Sequence, residues 1–188
     1  MIRTVIGGLL GGVAIFLIGF IFWGTPLSKL ALSTVDAQSG ANVQAALAEG
    51  LTAHGTGVYQ IPSPGTSEGT TLYGKGPVAL VQFNTSGFPV EDSGAMIGGL
   101  VLALATGLLI AFGLWATAGT LTSFAARARV VVLFSAAAVL WLQIGQPVFN
   151  HAPWGYYIYL AFSDFVALVA AGLIVARWFM VRDEVVIH

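Results

Sequence analysis

The run GAMIGGLVLALATGLLIAFGLWA, residues 94–116, decides the fold of this chain. It contains no formal charge, and none occurs anywhere between Asp92 and Arg127. An α-helix needs roughly 20 apolar residues to cross the hydrocarbon core of a bilayer, because each residue adds about 1.5 Å to its length. The run therefore predicts a transmembrane helix.

Three further stretches of similar character predict the rest of a bundle. They cover residues 5–23, 130–146 and 154–176, and the stretch 130–146 is the shortest and most polar of the four. The chain of 188 residues is 57% hydrophobic and 8% charged, whereas about a quarter of the residues in soluble proteins are charged. We therefore predict an all-α transmembrane four-helix bundle embedded in the lipid bilayer.

Composition also excludes several classes of function. The formal net charge of −1 provides no basic field for a nucleic-acid backbone, so no nucleic-acid partner is expected. The absence of cysteine excludes disulfides, thiolate nucleophiles and Fe–S clusters. His54, His151 and His188 lie outside the predicted spans without zinc-ligand spacing. Since no G-x-S-x-G or H-E-x-x-H pattern occurs either, we predict no metal, no cofactor and no catalytic residue.

Arginines near the span ends predict the orientation of the chain. Cytoplasmic flanks of transmembrane helices are enriched in Lys and Arg. The arginines precede the first span, separate the second from the third, or follow the fourth: Arg3, Arg127, Arg129, Arg177 and Arg182. The connection 147–153 has no formal charge. We therefore expect both termini, including a tail over residues 177–188, in the cytoplasm and residues 24–93 outside it.

Aromatic residues agree with these boundaries, because amphipathic rings prefer the interface between lipid and water. Those expected at the interface are Trp23, Trp115, Trp154, Trp178, Tyr156, Tyr157 and Tyr159. Membrane anchoring is the expected role of this set. A binding surface for a lipid, a quinone or another subunit is the alternative for the tyrosine-rich group.

The segment 24–93 differs from the spans and predicts a small α+β insertion between the first two transmembrane helices. Asn42 is a candidate N-cap for a short helix whose Val43, Leu47 and Leu51 form one apolar stripe. Residues 57–61 and 78–83 have strand character, and residues 62–76 between them are rich in Pro, Gly, Ser and Thr. We predict a short helix packed on a β-hairpin whose strands are joined by a loop.

Glycine pairs in the first two spans predict close helix contacts. In lipid, helix association depends on packing, and small residues four apart allow two backbones to approach. The pairs form overlapping G-x-x-x-G patterns: Gly7, Gly8, Gly11, Gly12, Gly94 and Gly98. These residues are expected either to pack helices of one chain together or to contact a second copy or another membrane protein.

Asp164 is the only charged residue between Arg129 and Arg177. It follows Trp154 by ten positions, which places it roughly 15 Å into the membrane, where a carboxylate costs about 2.5 to 3.5 kcal/mol. Polar residues at comparable depth predict a seam around it: Asp164, Ser163, Thr106, Ser135 and Gln143. The seam is expected either to fix helix packing through hydrogen bonds or to support a proton or ion step.

Two short sequences allow a comparison with a known group. These are GVYQIP at residues 57–62 and GPVALV at residues 76–81, within an arrangement of one N-terminal anchor, an external domain and three further spans. In this respect the chain resembles a group of small bacterial inner-membrane proteins of unknown function. The resemblance implies the topology and has no activity, cofactor or catalytic residue to carry over.

These observations favour a non-enzymatic accessory or scaffold subunit that contacts a membrane partner. A small proton-coupled carrier, in which a homo-oligomer arranges Asp164 around a path, is the alternative. A third class, an enzyme acting on a lipid or quinone at the outer interface, would depend on His54 or His151.

Overall fold

The computed structural model of this protein describes residues 1–180. Arg182 and the rest of the predicted tail from residue 181 lie outside the described residues. The chain forms two compact units. One unit consists of Met1–Ser33 together with the chain from Ser93 onward, and the other is Thr34–Asp92.

The first unit contains four helices that are long and apolar enough to cross a membrane. Helix α1 is Ile2–Trp23, α4 is Ser93–Ala116, the third is Phe124–Asn150 and the fourth is Trp154–Phe179. The prediction of four long apolar helices, with a small sheet elsewhere in the chain, is therefore confirmed.

The third of these helices is longer than the predicted span 130–146. It consists of α5 (Phe124–Val139), a π-helical turn (Leu140–Ile144) and α6 (Gly145–Asn150). Ser123 begins it by accepting a hydrogen bond from the Ala126 N–H at 3.2 Å. Arg127 and Arg129 were expected to lie outside this span, whereas the helix includes both of them. Pro147 lies near the other end of this helix, just after the π turn. Proline disrupts regular α-helical hydrogen bonding, and the wider π turn accommodates that disruption.

The fourth long helix also changes its winding. It is α-helical over Trp154–Ile174, here α7, and π-helical over Val175–Phe179. The predicted end at residue 176 therefore falls within the π turn.

Lys29 belongs to a short 3₁₀-helix, Pro26–Leu30, which follows α1 in the same unit.

Glycines bring α1 and α4 into backbone contact. A Cβ on Gly12 would lie 2.5 Å from the Leu104 Cα, and one on Gly8 would lie 2.9 Å from the Leu108 Cα. From the opposite side, a Cβ on Gly107 would collide with the backbone of Gly8 and Gly12. Only residues without a side chain allow this separation, which is the packing typical of helices in lipid.

The other helix pairs also meet through small residues. Gly11 faces the Ala171 carbonyl and methyl groups, and Gly7 faces the Phe179 side chain. At one end of the bundle, the residues from three helices form a buried apolar core: Ala111, Leu114, Val131, Val175, Ala176 and Met180. This end is closely packed.

The second unit, Thr34–Asp92, begins with helix α2, Ala37–Leu51. Asp36, not the predicted Asn42, is its N-cap. The Asp36 Oδ1 accepts from the Ser39 N–H at 3.0 Å and its Oδ2 from the Ser39 hydroxyl at 2.6 Å. These bonds, led by the Ser39 hydroxyl, hold the pKa of the Asp36 carboxyl below its usual value. The apolar stripe begins only at Val43, nearly two turns after the helix start at Ala37, which explains the misplaced start.

The predicted strands form an antiparallel pair, β1 (Gly57–Ile61) and β2 (Ala79–Phe83), with Tyr59 opposite Val81. The rings of Tyr59 and Phe83 lie 6.3 Å apart on the less exposed face of this sheet. Side chains from α2 and β2 line a shared groove of about 470 Å³. The predicted helix and strand pair are therefore both present, and packing of the helix on the strands stays a prediction.

The predicted loop over residues 62–76 contains a further helix, α3, Ser67–Lys75. The Thr66 hydroxyl accepts from the Gly69 N–H at 3.0 Å and caps its first turn. Glu68 in the first turn and Lys75 in the last complement the helix dipole. Because α3 is polar on nearly all sides, hydrophobic periodicity could not reveal it.

Candidate functional site

The first unit encloses a cavity of about 920 Å³ between its long helices. Its walls come from residues 15–24 of α1 and the adjoining turn, 95–106 of α4, 138–143 of α5 and the first π turn, and 164–168 of α7. Met96, Leu102 and Leu142 line the cavity and are 46%, 69% and 61% exposed, so it opens on their side. Most of its wall is apolar.

The cavity occupies one half of the bundle. On α4 its wall extends from Ala95 to Thr106, which corresponds to about 16 Å along the helix axis. This length is about half of the roughly 30 Å thickness of the hydrocarbon core of a bilayer. The other half of the bundle contains the buried core around Ala111 and Val175 and a smaller cavity of about 350 Å³ beside Ala176 and Met180.

A carboxyl–amide pair forms the polar part of the wall. The Gln143 Nε2 donates to the Asp164 Oδ2 at 2.8 Å. Gln143 lies in the π turn, and such turns often occur where a helix must redirect side chains at a functional site. Asp164 is half-buried, and its Oδ1 accepts no hydrogen bond from the described residues 1–180.

The predicted polar seam is only partly gathered at this wall. Thr106 lines the cavity and donates to the Leu102 carbonyl of its own helix at 2.9 Å. Ser163 instead accepts from the Trp23 Nε1 at 3.3 Å and donates to the Leu160 carbonyl. Ser135 lies on the buried face of α5, outside the cavity wall. Three of the five residues, Asp164, Gln143 and Thr106, therefore share the cavity.

Aromatic residues join α1 to α7 beside the cavity. The rings of Trp23 and Tyr159 lie 5.2 Å apart, and those of Trp23 and Tyr156 lie 5.9 Å apart. The Tyr159 hydroxyl donates to the Phe22 carbonyl at 2.8 Å. Trp23 also lines the cavity. The sequence suggested interfacial anchoring for these residues, but their spacing gave no signal for contacts between the two helices.

The remaining aromatics of the predicted set are placed differently. Trp115, Trp154 and Trp178 are exposed at or near the ends of their helices. Tyr157 is half-buried, and its ring lies 5.1 Å from that of Tyr156.

The two glycines of α4 predicted to pack helices lie on an exposed part of that helix in the described residues 1–180. Gly94 and Gly98 are exposed, and a Cβ on Gly98 would meet no atom within 4 Å. Gly107, one turn beyond Ala103, makes the close contact with α1 instead. Spacing alone does not show which face of α4 meets α1, and contact of Gly94 and Gly98 with a second copy or another membrane protein stays a prediction.

Chemically, the cavity suits noncovalent binding. Within residues 1–180, no three His, Asp or Glu side chains converge on a point where they could hold a metal ion. Comparison with protein-family models gives no match, and neither curated proteins nor solved structures give one. The functional argument therefore depends on the cavity itself.

Proposed function

We propose that this chain is a non-enzymatic, multi-pass accessory protein of a bacterial inner membrane, and that its cavity holds an apolar molecule taken from the bilayer. The cavity carries the proposal. Its volume of about 920 Å³ falls within the roughly 300 to 1,000 Å³ of small-molecule pockets, which combine apolar walls with a few placed polar groups. The pair formed by Asp164 and Gln143 supplies such groups.

The orientation of the protein is part of the proposal. An Arg3 guanidinium nitrogen donates to the Trp178 carbonyl at 3.3 Å, and the Arg177 guanidinium lies 5.6 Å from the Phe124 ring centroid. The first turns of α1 and α5 and the end of the fourth helix thus share one arginine-rich end of the bundle. The enrichment of cytoplasmic flanks in arginine supports a cytoplasmic position for this end and for both termini.

A partner is proposed for the outer face of α4. Gly94 and Gly98 are exposed, and a Cβ on Gly98 would meet no atom of the described residues within 4 Å. Small residues at this spacing favour helix association in lipid. This face supports contact with another membrane protein or with a second copy. It borders the cavity, whose wall on α4 includes Ala95, Gly99 and Leu102.

The geometry favours binding over the carrier alternative. A carrier needs access to Asp164 from both sides of the membrane, in one state or in alternation. The cavity reaches Asp164 from one half of the bundle, and the buried core residues Ala111, Leu114 and Val175 in the other half are not part of its wall.

Filling the cavity is expected to abolish binding. Gly99 lines the cavity, and a Cβ there would lie 3.9 Å from the Phe16 ring, so leucine fits and occupies ligand space. We expect Gly99→Leu to weaken binding of 4-nonylanisole by about tenfold or more, because a ligand must then overpack the site. Native mass spectrometry of the protein in lipid nanodiscs measures the bound fraction.

Gly113→Leu is the matched control for this experiment. Gly113 is on the same helix, is exposed, and has no atom within 4 Å of an added Cβ, but it lies outside the cavity wall. Binding should equal that of the unchanged protein. Absence of saturable binding to the unchanged protein, or equal binding to both leucine variants, would overturn the proposed function.

A further inference from the structure

We propose that the molecule held in the cavity is a lipophile with a small hydroxyl-bearing head and one apolar chain, and that its hydroxyl donates a hydrogen bond to the Asp164 Oδ1. This inference rests on the proposed function and specifies its ligand. Three features of the cavity support it: the hydrogen-bonding groups of Asp164 and Gln143 in the wall, their depth in the bundle and the length of the cavity.

The polar part of the wall favours a hydrogen-bond donor. Gln143 donates to one carboxyl oxygen of Asp164 and thereby fixes the side chain, while the other oxygen has no donor in the described part of the chain. An acceptor left unsatisfied in apolar surroundings is costly. A hydroxyl group of the ligand can donate a hydrogen bond to the Asp164 Oδ1. An ether or ester group carries only acceptor oxygens and cannot donate one.

The depth of this group limits the size of the head. Asp164 lies ten residues along α7 from Trp154, or about 15 Å from the helix start. The wall nearer the helix ends is apolar, with Phe20, Ala95 and Met96 among its residues. The hydroxyl must therefore be at the inner end of the ligand. A phospholipid does not fit this arrangement, because its large polar head stays at the interface.

The length of the cavity favours a small molecule over a partner helix. A transmembrane helix crosses about 30 Å of hydrocarbon, whereas the wall on α4 covers about 16 Å. A partner helix would also have to contact the closely packed half of the bundle. A single chain with a phenol or alcohol head matches one leaflet.

Two probes that differ only in the donor test the inference: 4-nonylphenol and its methyl ether, 4-nonylanisole. Both are titrated against the full chain in lipid nanodiscs, with native mass spectrometry as the readout. We expect the phenol to bind about tenfold more tightly than the ether, the size of effect for one additional hydrogen bond. Asp164→Leu should remove that preference and leave binding of the ether within about twofold, which also shows that the cavity remains intact.

Asp164→Asn provides a second variant that keeps the side-chain size and one acceptor oxygen. It should retain a smaller preference for the phenol, because the amide keeps one acceptor oxygen where the carboxyl group has two oxygens. Equal binding of both probes to the unchanged protein, or an undiminished preference in Asp164→Leu, would overturn this inference and leave the proposed function standing. Failure of both probes to bind saturably would overturn the two together.

Discussion

Gly107→Leu is expected to prevent stable assembly of the helix bundle. A Cβ at this position would collide with the Gly8 carbonyl and with the backbone of Gly12. Backbone atoms cannot rotate away as a flexible side chain can, so α1 and α4 must separate. Overpacking of this kind costs roughly 3 kcal/mol. Thermal unfolding of the protein in detergent micelles should show a lowered midpoint and a smaller folded fraction.

Gly113→Leu controls for the change of residue type, since it adds the same side chain six positions further along α4. No atom lies within 4 Å of a Cβ at Gly113, so its unfolding midpoint should match that of the unchanged protein. If both variants unfolded alike, the contact between α1 and α4 would not be the one described.

Reporter fusions are expected to place the arginine-rich end of the bundle in the cytoplasm. Green fluorescent protein fused after Thr120 or after the C-terminal residue should fluoresce, and alkaline phosphatase fused after Ser93 or Ala152 should be active. The physical reason is that short flanks rich in arginine resist translocation. Arg3, Arg127, Arg129 and Arg177 all belong to flanks at this end.

Each fusion is compared with the reciprocal reporter at the same position and normalised to its abundance, so that weak expression is not mistaken for orientation. Fluorescence after Ala152, with phosphatase activity after Thr120, would reverse the proposed orientation. The position of the cavity within the bundle would be unaffected by that result, but its opening would then be in the cytoplasmic leaflet.

Much of the fold was predictable because the bilayer limits the choices. The uncharged run of α4 began within one residue of its prediction, since a change from polar to apolar sequence marks a membrane boundary. The third helix was misjudged because Arg127 and Pro147 both suggest a boundary. The Arg127 Nε donates to the Leu121 carbonyl at 2.7 Å, which allows the charged residue to lie inside the helix.

The candidate site was predictable only in part. Asp164 was identified because a charge in a span is costly, and Gln143 because it is polar within an apolar helix. Their hydrogen bond depends on the π turn, for which the sequence carries no reliable signal. The cavity depends on how α1 meets α4 and α7. α1 contacts the face of α4 that carries Gly107, not the face that carries Gly98. The spacing of the glycines does not show which of the two faces makes this contact.

The central claim, that the cavity holds an apolar molecule, is tested most directly by the native mass of the protein after gentle extraction from its own membrane. We predict the mass of the chain plus one small apolar molecule, present in the unchanged protein and in Gly113→Leu and lost in Gly99→Leu. A bare chain in the unchanged protein, or an identical bound mass in both variants, would contradict the claim.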